Sequence, residues 1–210
     1  MNQPLLYTIR PMEPGDVSTV IAIEKLSYPT PWPASSYLYE LRHNTRASYY
    51  VLLKPPTGES APPERGWRRW LRGVLGLSRE SRVIGYVGFR LQLDEVHIST
   101  IAVHPDWRRR GWGALLLLTA VEQALELESR CVSLEVRASN QAAQNMYRKY
   151  GFRFKSVHPG YYRDGEDAWL MEAEVYEDAY GARLAGLRRA LEARLRWQQT
   201  GVGQNDGDTI

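Results

Sequence analysis

Residues 101–118, IAVHPDWRRRGWGALLLL, run from an apolar strand end through a proline turn, three arginines and two glycines into a helix. Few other stretches narrow the possibilities as far. Gly111 and Gly113 carry no Cβ, so a ligand can approach the backbone closely there. The helix that follows opens with unpaired N–H groups and a partial positive charge, which together suit an anion. Arg108, Arg109 and Arg110 add positive charge beside it. This pattern predicts a phosphate or pyrophosphate cradle at a strand–turn–helix junction. Two common phosphate loops are excluded: no Lys-Ser/Thr pair follows the glycines, and there is no G-x-G-x-x-G.

A chain of 210 residues is long enough for one domain with a sizeable core. Lys and Arg number 27 and Asp and Glu 24, a net charge of +3 that is too weak for wholesale nucleic-acid binding. Much of the basic excess is local, at 65–82, 108–110 and 183–196. The single cysteine, Cys131, lies in the apolar run CVSLEV and reads as a buried free thiol in a reducing compartment. No charged-then-apolar leader and no run of about 18 apolar residues is present, so a soluble cytoplasmic protein is expected. His43, His97, His104 and His158 are scattered and Cys131 has no partner at ligand spacing, so no metal site is expected.

Read in order, residues 5–10 suggest a strand ending at Pro11, and Asp16 suggests the N-cap of a helix through Ile23 and Leu26. The prolines of YPTPWP (28–33) stop that helix, and 34–42 reads as a second one. Strands are expected at 48–54, 82–92 and 95–103, with a tight turn at Leu93-Asp94. A long helix over 111–128 places Leu115, Leu118, Val121 and Leu125 on one stripe. Strand 131–137, a helix from Asn140 to Tyr150 stopped by Gly151, and strands 152–157 and 168–175 complete an α/β domain over 5–175 with a mixed sheet.

Two segments fall outside this scheme. Residues 55–82 read as an insertion, with Trp67, Trp70, Leu71 and Val74 on one face of a basic helix that Gly73 and Gly76 weaken. Packing on its own domain is favoured for it over docking to RNA or a membrane surface. In 176–199, Tyr180, Leu184, Leu187, Leu191 and Leu195 predict an amphipathic helix that docks on its own domain, a second subunit or another partner. The remainder, 200–210, has the composition of a disordered tail.

The R-x-x-G-x-G spacing of Arg108, Gly111 and Gly113 after the IAV strand resembles the coenzyme A loop of GNAT N-acetyltransferases. SLEVRASNQAAQNMYRKYGF (133–152), IEKLSYPTPW (23–32), LDEVHISTIAV (93–103) and YYRDGEDAWLM (161–171) resemble the RimI-type ribosomal-protein-alanine branch of that family. The resemblance implies a GNAT-like fold and transfer of acetyl from acetyl-CoA, without a metal, to the N-terminal amine of a protein. The implied acceptor is an N-terminal alanine of a small-subunit ribosomal protein. The runners-up are a broader N-terminal or small-amine acetyltransferase and a non-catalytic acetyl-CoA-sensing module that docks on RNA or membrane.

Such a reaction needs a neutral amine, a held thioester and a proton for the departing thiolate. An α-amino group titrates near pKa ~8, within reach of a partly desolvated carboxylate acting directly or through water. Glu135 sits mid-strand, and the alternation of SLEVR puts Ser133, Glu135 and Arg137 on one face, which is equally consistent with a solvent-facing carboxylate. The resemblance makes Glu135 the proton acceptor and Tyr147 the general acid. It also implies that the backbone of Ile101, Ala102 and Val103 lines the pantetheine. Arg108, Arg109, Arg110, Gly111, Trp112, Gly113 and Ala114 would hold the pyrophosphate, and Asn140 would touch the coenzyme arm. Pro31, Trp32, Tyr161 and Tyr162 would grip the acceptor peptide. His97 is left as a candidate standing behind the site.

Overall fold

The computed structural model describes residues 7–54, 83–176 and 178–200. The expectations for the insertion at 55–82 and the tail at 201–210 lie outside the described residues. Stretches of alternating or β-branched residues form seven strands: β1 (Thr8–Pro11), β2 (Ala47–Leu53), β3 (Val83–Gln92), β4 (Glu95–Val103), β5 (Cys131–Arg137), β6 (Arg153–His158) and β7 (Ala168–Glu174). They make one sheet in the order β1-β2-β3-β4-β5-β7-β6. Every neighbouring pair is antiparallel except β4–β5, which is parallel. That pair requires a crossover, and helix α3 (Trp112–Glu126) supplies it.

Helices α1 (Val17–Ser27) and α2 (Ala34–His43) cover one face of the sheet over β2–β4, burying Val20, Ile23, Tyr37 and Tyr86. Helices α3 and α4 (Gln141–Lys149) cover the other with Leu115, Val121 and Tyr147 against Val87, Ile98 and Leu134. Asp16 takes the N-cap position of α1 as expected, but its side chain makes no capping hydrogen bond. Its carboxylate is drawn back to Arg10, 2.7 Å away, and to the Glu13 N–H. An ion pair with a guanidinium outbids the neutral helix N–H groups for the same oxygens.

A single apolar stripe was expected on α3, yet Leu115, Leu116, Leu117 and Leu118 are all buried. The helix lies between the sheet, where Leu116 abuts Gly85 of β3, and the C-terminal helix α5 (Asp178–Thr200). Its first turns, enclosed in this way, are apolar all round, while Glu122, Gln123 and Glu126 keep the later turns partly polar. Each buried leucine contributes about 1.5–3 kcal/mol. Of the docking options for the C-terminal helix, the chain takes its own domain. Leu184, Leu191 and Leu195 join the core, Tyr180 Oη donates to Tyr150 O at 2.8 Å, and Arg188 meets Glu122 of α3 at 2.8 Å.

The parallel pairing of β4 with β5 runs only from Glu95↔Cys131 to Ile98↔Leu134. Ser99 is then bulged out of the β3 ladder, whose partners step from Phe89↔Ile98 to Gly88↔Thr100. Beyond that point β4 keeps to β3 as far as Val103 and β5 keeps to β7 as far as Arg137. The two strands part, and the sheet opens at its centre.

Candidate active site

The opening is lined by backbone. His104 N–H donates to Ile84 O, so by alternation Ala102 also turns its amide groups to β3, whereas Ile101 and Val103 turn theirs into the gap. Their carbonyls are already engaged: Ile101 O accepts from Tyr28 Oη at 2.7 Å and Val103 O from Arg108 Nε at 2.9 Å. The N–H groups of Ile101 and Val103 are the strand donors that face the opening. Ala102 contributes only its position.

At one end of the gap α3 begins. Gly111 adopts φ +102° as its N-cap, and the first i−4 bond is Leu115 N–H to Gly111 O, so the N–H groups of Trp112, Gly113 and Ala114 precede the helical ladder. Arg109 is held at φ 63°, a conformation rare for a side-chain-bearing residue. The three arginines differ in their engagement. Arg108 is a brace, bonded to Val103 O and to Ser27 Oγ of α1, and Arg110 lies over the Trp107 ring at 5.1 Å. Arg109 is exposed. Trp112 turns its indole into the core, edge-on to Tyr7, leaving its backbone N–H for the loop. Asn140 Oδ1 caps α4 by accepting from Ala143 N–H.

Glu135 is on the sheet face shared with α1 and α2, beyond the helices' edge, with 15% of its side chain exposed. His97 Nε2 of β4 is 3.2 Å from its Oε2, and His158 Nδ1 at the end of β6 is 4.0 Å from its Oε1. Burial pushes the Glu135 carboxyl up, but the His97 hydrogen bond and the charges of His97 and His158 outweigh it, and the group is held below the ordinary glutamate range. Two of the histidines that are far apart in sequence thus converge on one carboxylate. Among the described residues no cluster of three or more His, Cys, Asp or Glu is placed to hold a metal ion.

The loop between β6 and β7 closes over this carboxylate. Tyr161 lies near enough to Glu135 that, after burial, the carboxylate's charge pushes its hydroxyl up, and it meets Tyr162 edge to face at 5.1 Å. Arg137 holds the loop, pairing with Asp164 and Glu166 at 2.9 and 2.6 Å. Across the site, the α1–α2 connection carries Pro31 and Trp32. Its anchor is Glu24, which is 2% exposed and accepts from Trp32 N–H, Tyr37 Oη and Tyr86 Oη. A cavity of about 670 Å³ is lined by Trp32, Pro33, Ser36, Tyr39 and, from the β6–β7 loop, Arg163. Of the four residues expected to grip a peptide, Trp32 lines this cavity and Pro31, Tyr161 and Tyr162 do not.

Tyr147 comes from the other face of the sheet, on α4. Gln144, one turn earlier, fixes that helix to the end of β5 by donating to Arg137 O and Ala138 O. Burial, then the nearby Tyr28 and Tyr162 phenols, raise the Tyr147 hydroxyl well above its ordinary range, so it stays protonated. Tyr28 is bonded to Ile101, so these phenols meet at the parted strands. Glu24, Arg137, Glu166 and His158 were not singled out from sequence. Only Glu24, a charged residue on the apolar side of IAIEKL, left a readable signal.

A sheet parted at its central parallel pair, with a helix N-terminus at the end of the gap, defines an acetyltransferase fold. The acetyltransferase (GNAT) family pattern matches residues 19–152, and the chain belongs to that family. It is 32% identical over 170 residues to a Bacillus subtilis protein provisionally named a [ribosomal protein bS18]-alanine N-acetyltransferase, covering 80% of this chain and 96% of that one. It is 31% identical to an N-alpha-acetyltransferase of Sulfurisphaera tokodaii, covering 80% and 93%. The crystal structure of the ribosomal-protein-S18-alanine N-acetyltransferase from Escherichia coli superposes with a TM-score of 0.63 at 25% identity, covering 81% and 95%. The chain is an acetyl-CoA-dependent N-acetyltransferase. The donors in the gap and the loop at the start of α3 fit an extended amide-bearing arm ending in a diphosphate.

Proposed function

We propose that this enzyme acetylates the N-terminal α-amine of a protein, an N-terminal alanine of a small-subunit ribosomal protein, by direct attack in a ternary complex in the cytoplasm. One observation carries the reading most. Glu135 is held ionised by His97 and His158 at the point where β4 and β5 part. The ribosomal acceptor rests on the names of the Bacillus and Escherichia relatives.

Bound acetyl-CoA supplies the acetyl thioester. Ile101 and Val103 N–H groups orient the arm and the loop from Arg109 to Ala114 holds the diphosphate. Glu135 takes the ammonium proton, directly or through a water, on Oε1, the oxygen not bonded to His97. The protonated Tyr147 donates to the leaving sulfur. An acetyl-enzyme is disfavoured, because burial and the nearby Glu95 and Glu172 push the Cys131 thiol up to about 11.

The archaeal relative, an N-alpha-acetyltransferase matched over nearly its whole length, supports a second reading with broader N-terminal preference. CoA release with peptides differing only at the first residue separates the two. Preference for Ala, with at least a tenfold loss in Glu135→Gln and Tyr147→Phe, supports the ribosomal reading. Turnover on many N-termini moves the assignment to the broader enzyme.

A further inference from the structure

Behind Glu135 lies a row of polar groups that acetyl transfer has not yet used. The parallel register sets His97 opposite Ser133 and Glu95 opposite Cys131, so Glu95 and His97 of β4 and Ser133 and Glu135 of β5 share one sheet face. Their atoms form a continuous chain. Ser133 Oγ donates to Glu95 Oε1, His97 Nδ1 is 2.9 Å from Ser133 Oγ, and His97 Nε2 is 3.2 Å from Glu135 Oε2. Ser133 is 2% exposed, while Glu95 is only half-buried and follows the exposed turn at Leu93 and Asp94.

The chemistry of the end groups fixes the direction of each bond. An ionised Glu95 has no proton, so the Ser133 hydroxyl must donate to it. Ser133 Oγ is then free only to accept, so His97 Nδ1 carries a hydrogen. Nε2 faces a second carboxylate, and a proton must lie between them. The Nδ1 and Ser133 hydrogens point towards Glu95, and with Glu135 ionised the Nε2 hydrogen points back to Glu135.

We propose that His97, Ser133 and Glu95 form a proton relay that carries the proton taken from the acceptor amine by Glu135 out to the Leu93–Asp94 edge of the sheet. This rests on the N-terminal acetylation reading. In the step, an ammonium N–H bond breaks and an O–H bond forms on Glu135 Oε1, while the proton between Oε2 and Nε2 stays in place. His97 passes its Nδ1 proton to Ser133 Oγ, and Ser133 passes its own to Glu95 Oε1. One proton has entered and one has arrived at Glu95, which releases it to water. No electron changes hands. The other charged or titratable groups facing His97 and its partners are Arg90 from β3, His158 and Tyr161 from the loop side, Cys131 of β5 opposite Glu95, and Glu172 of β7 with its partner Lys155.

A row that only held Glu135 in its rotamer would tolerate Glu95→Gln, whose carbonyl still accepts from Ser133 but takes up no proton, and this separates the roles. With acetyl-CoA and an Ala-initiated peptide, Ser133→Ala and Glu95→Gln should each lower kcat about tenfold or more, with the KM for acetyl-CoA unchanged. The double variant should lose no more than either single one, and Ser133→Thr, which restores a hydroxyl, should recover turnover. Nitrogen-detected NMR, assigned with His97→Gln, should find the His97 proton on Nδ1. Wild-type kcat and pH profile in both single variants, or a bare Nδ1 in the wild type, overturns the relay. If no peptide is acetylated, the acceptor reading falls, and the His97 proton position still decides the relay.

Discussion

The guanidinium of Arg137 lies over the ring of Tyr162, 3.9 Å from its centroid, while its Nη1 binds Asp164 and Glu166. One side chain at the end of β5 thus fastens both the aromatic and the acidic ends of the loop that covers Glu135. Arg137→Ala should raise the KM for peptide several-fold while leaving the KM for acetyl-CoA unchanged, because the coenzyme loop is at the other end of the gap. Steady-state kinetics with each substrate varied in turn checks this, and equal effects on both would refute it.

Acid should loosen the same region. Burial pushes Glu135 up, but His97 and His158 hold it below its ordinary value. Glu166 is held at about 2 by hydrogen bonds from Ser139 and by Arg137. Carboxyls with depressed folded-state values contribute stability above their unfolded value, here 4.5, and that contribution fades as pH falls through the folded values. The melting temperature should therefore decline as pH drops below about 4.5. Glu166→Gln should make the decline shallower, and an unchanged slope would dismiss the linkage.

Gly111 is a sharper test of the anion loop. At φ +102° an added Cβ would lie 2.6 Å from Arg194 Nη2 and 2.9 Å from Leu191 Cδ1. Gly111→Ala should cost about 1–3 kcal/mol of stability through backbone strain alone. It should also weaken acetyl-CoA binding, measured by calorimetry, by tenfold or more. Wild-type affinity would mean that the start of α3 does not hold the diphosphate.

Glu24 tests the opposite loop. Its carboxylate accepts from Trp32 N–H, Tyr37 and Tyr86 inside the core. Glu24→Leu leaves buried donors without an acceptor, at about 1–3 kcal/mol for each group left unpaired. Thermal melting should show the loss, and peptide KM should rise as Trp32 is released. A variant as stable as the wild type would mean that water replaces the carboxylate.

Much of this was readable in residue order because it depends on local period. The strands around EVHISTIAV and CVSLEV, the helix after Gly111 and the cap at Asn140 follow from alternation, apolar runs and turn chemistry. Glu135, Tyr147, Tyr161 and Tyr162 were named by their resemblance to family motifs, and the fold brings Tyr161 against Glu135 and Tyr162 near Tyr147. The row from Glu95 to Glu135 was not legible, since it exists only in the parallel register of β4 with β5, and no local pattern encodes that register. His158 belongs to a strand two elements later in the chain, and Arg108 looked like a loose cation until Val103 O and Ser27 claimed it.

The seat of Gly111 against Leu191 and Arg194 also sets an order in time. Eighty residues separate Gly111 from Leu191. A ribosome adding about 5–20 residues per second produces the second roughly 4–16 s after the first. Until then the anion loop lacks its outer wall, so a nascent chain has its sheet and its carboxylate before it has a finished grip on acetyl-CoA. On the proposed reading of that loop, acetyl-CoA in the surrounding solution favours the state in which α5 has docked, and the donor of the acetyl group helps to complete the fold that uses it.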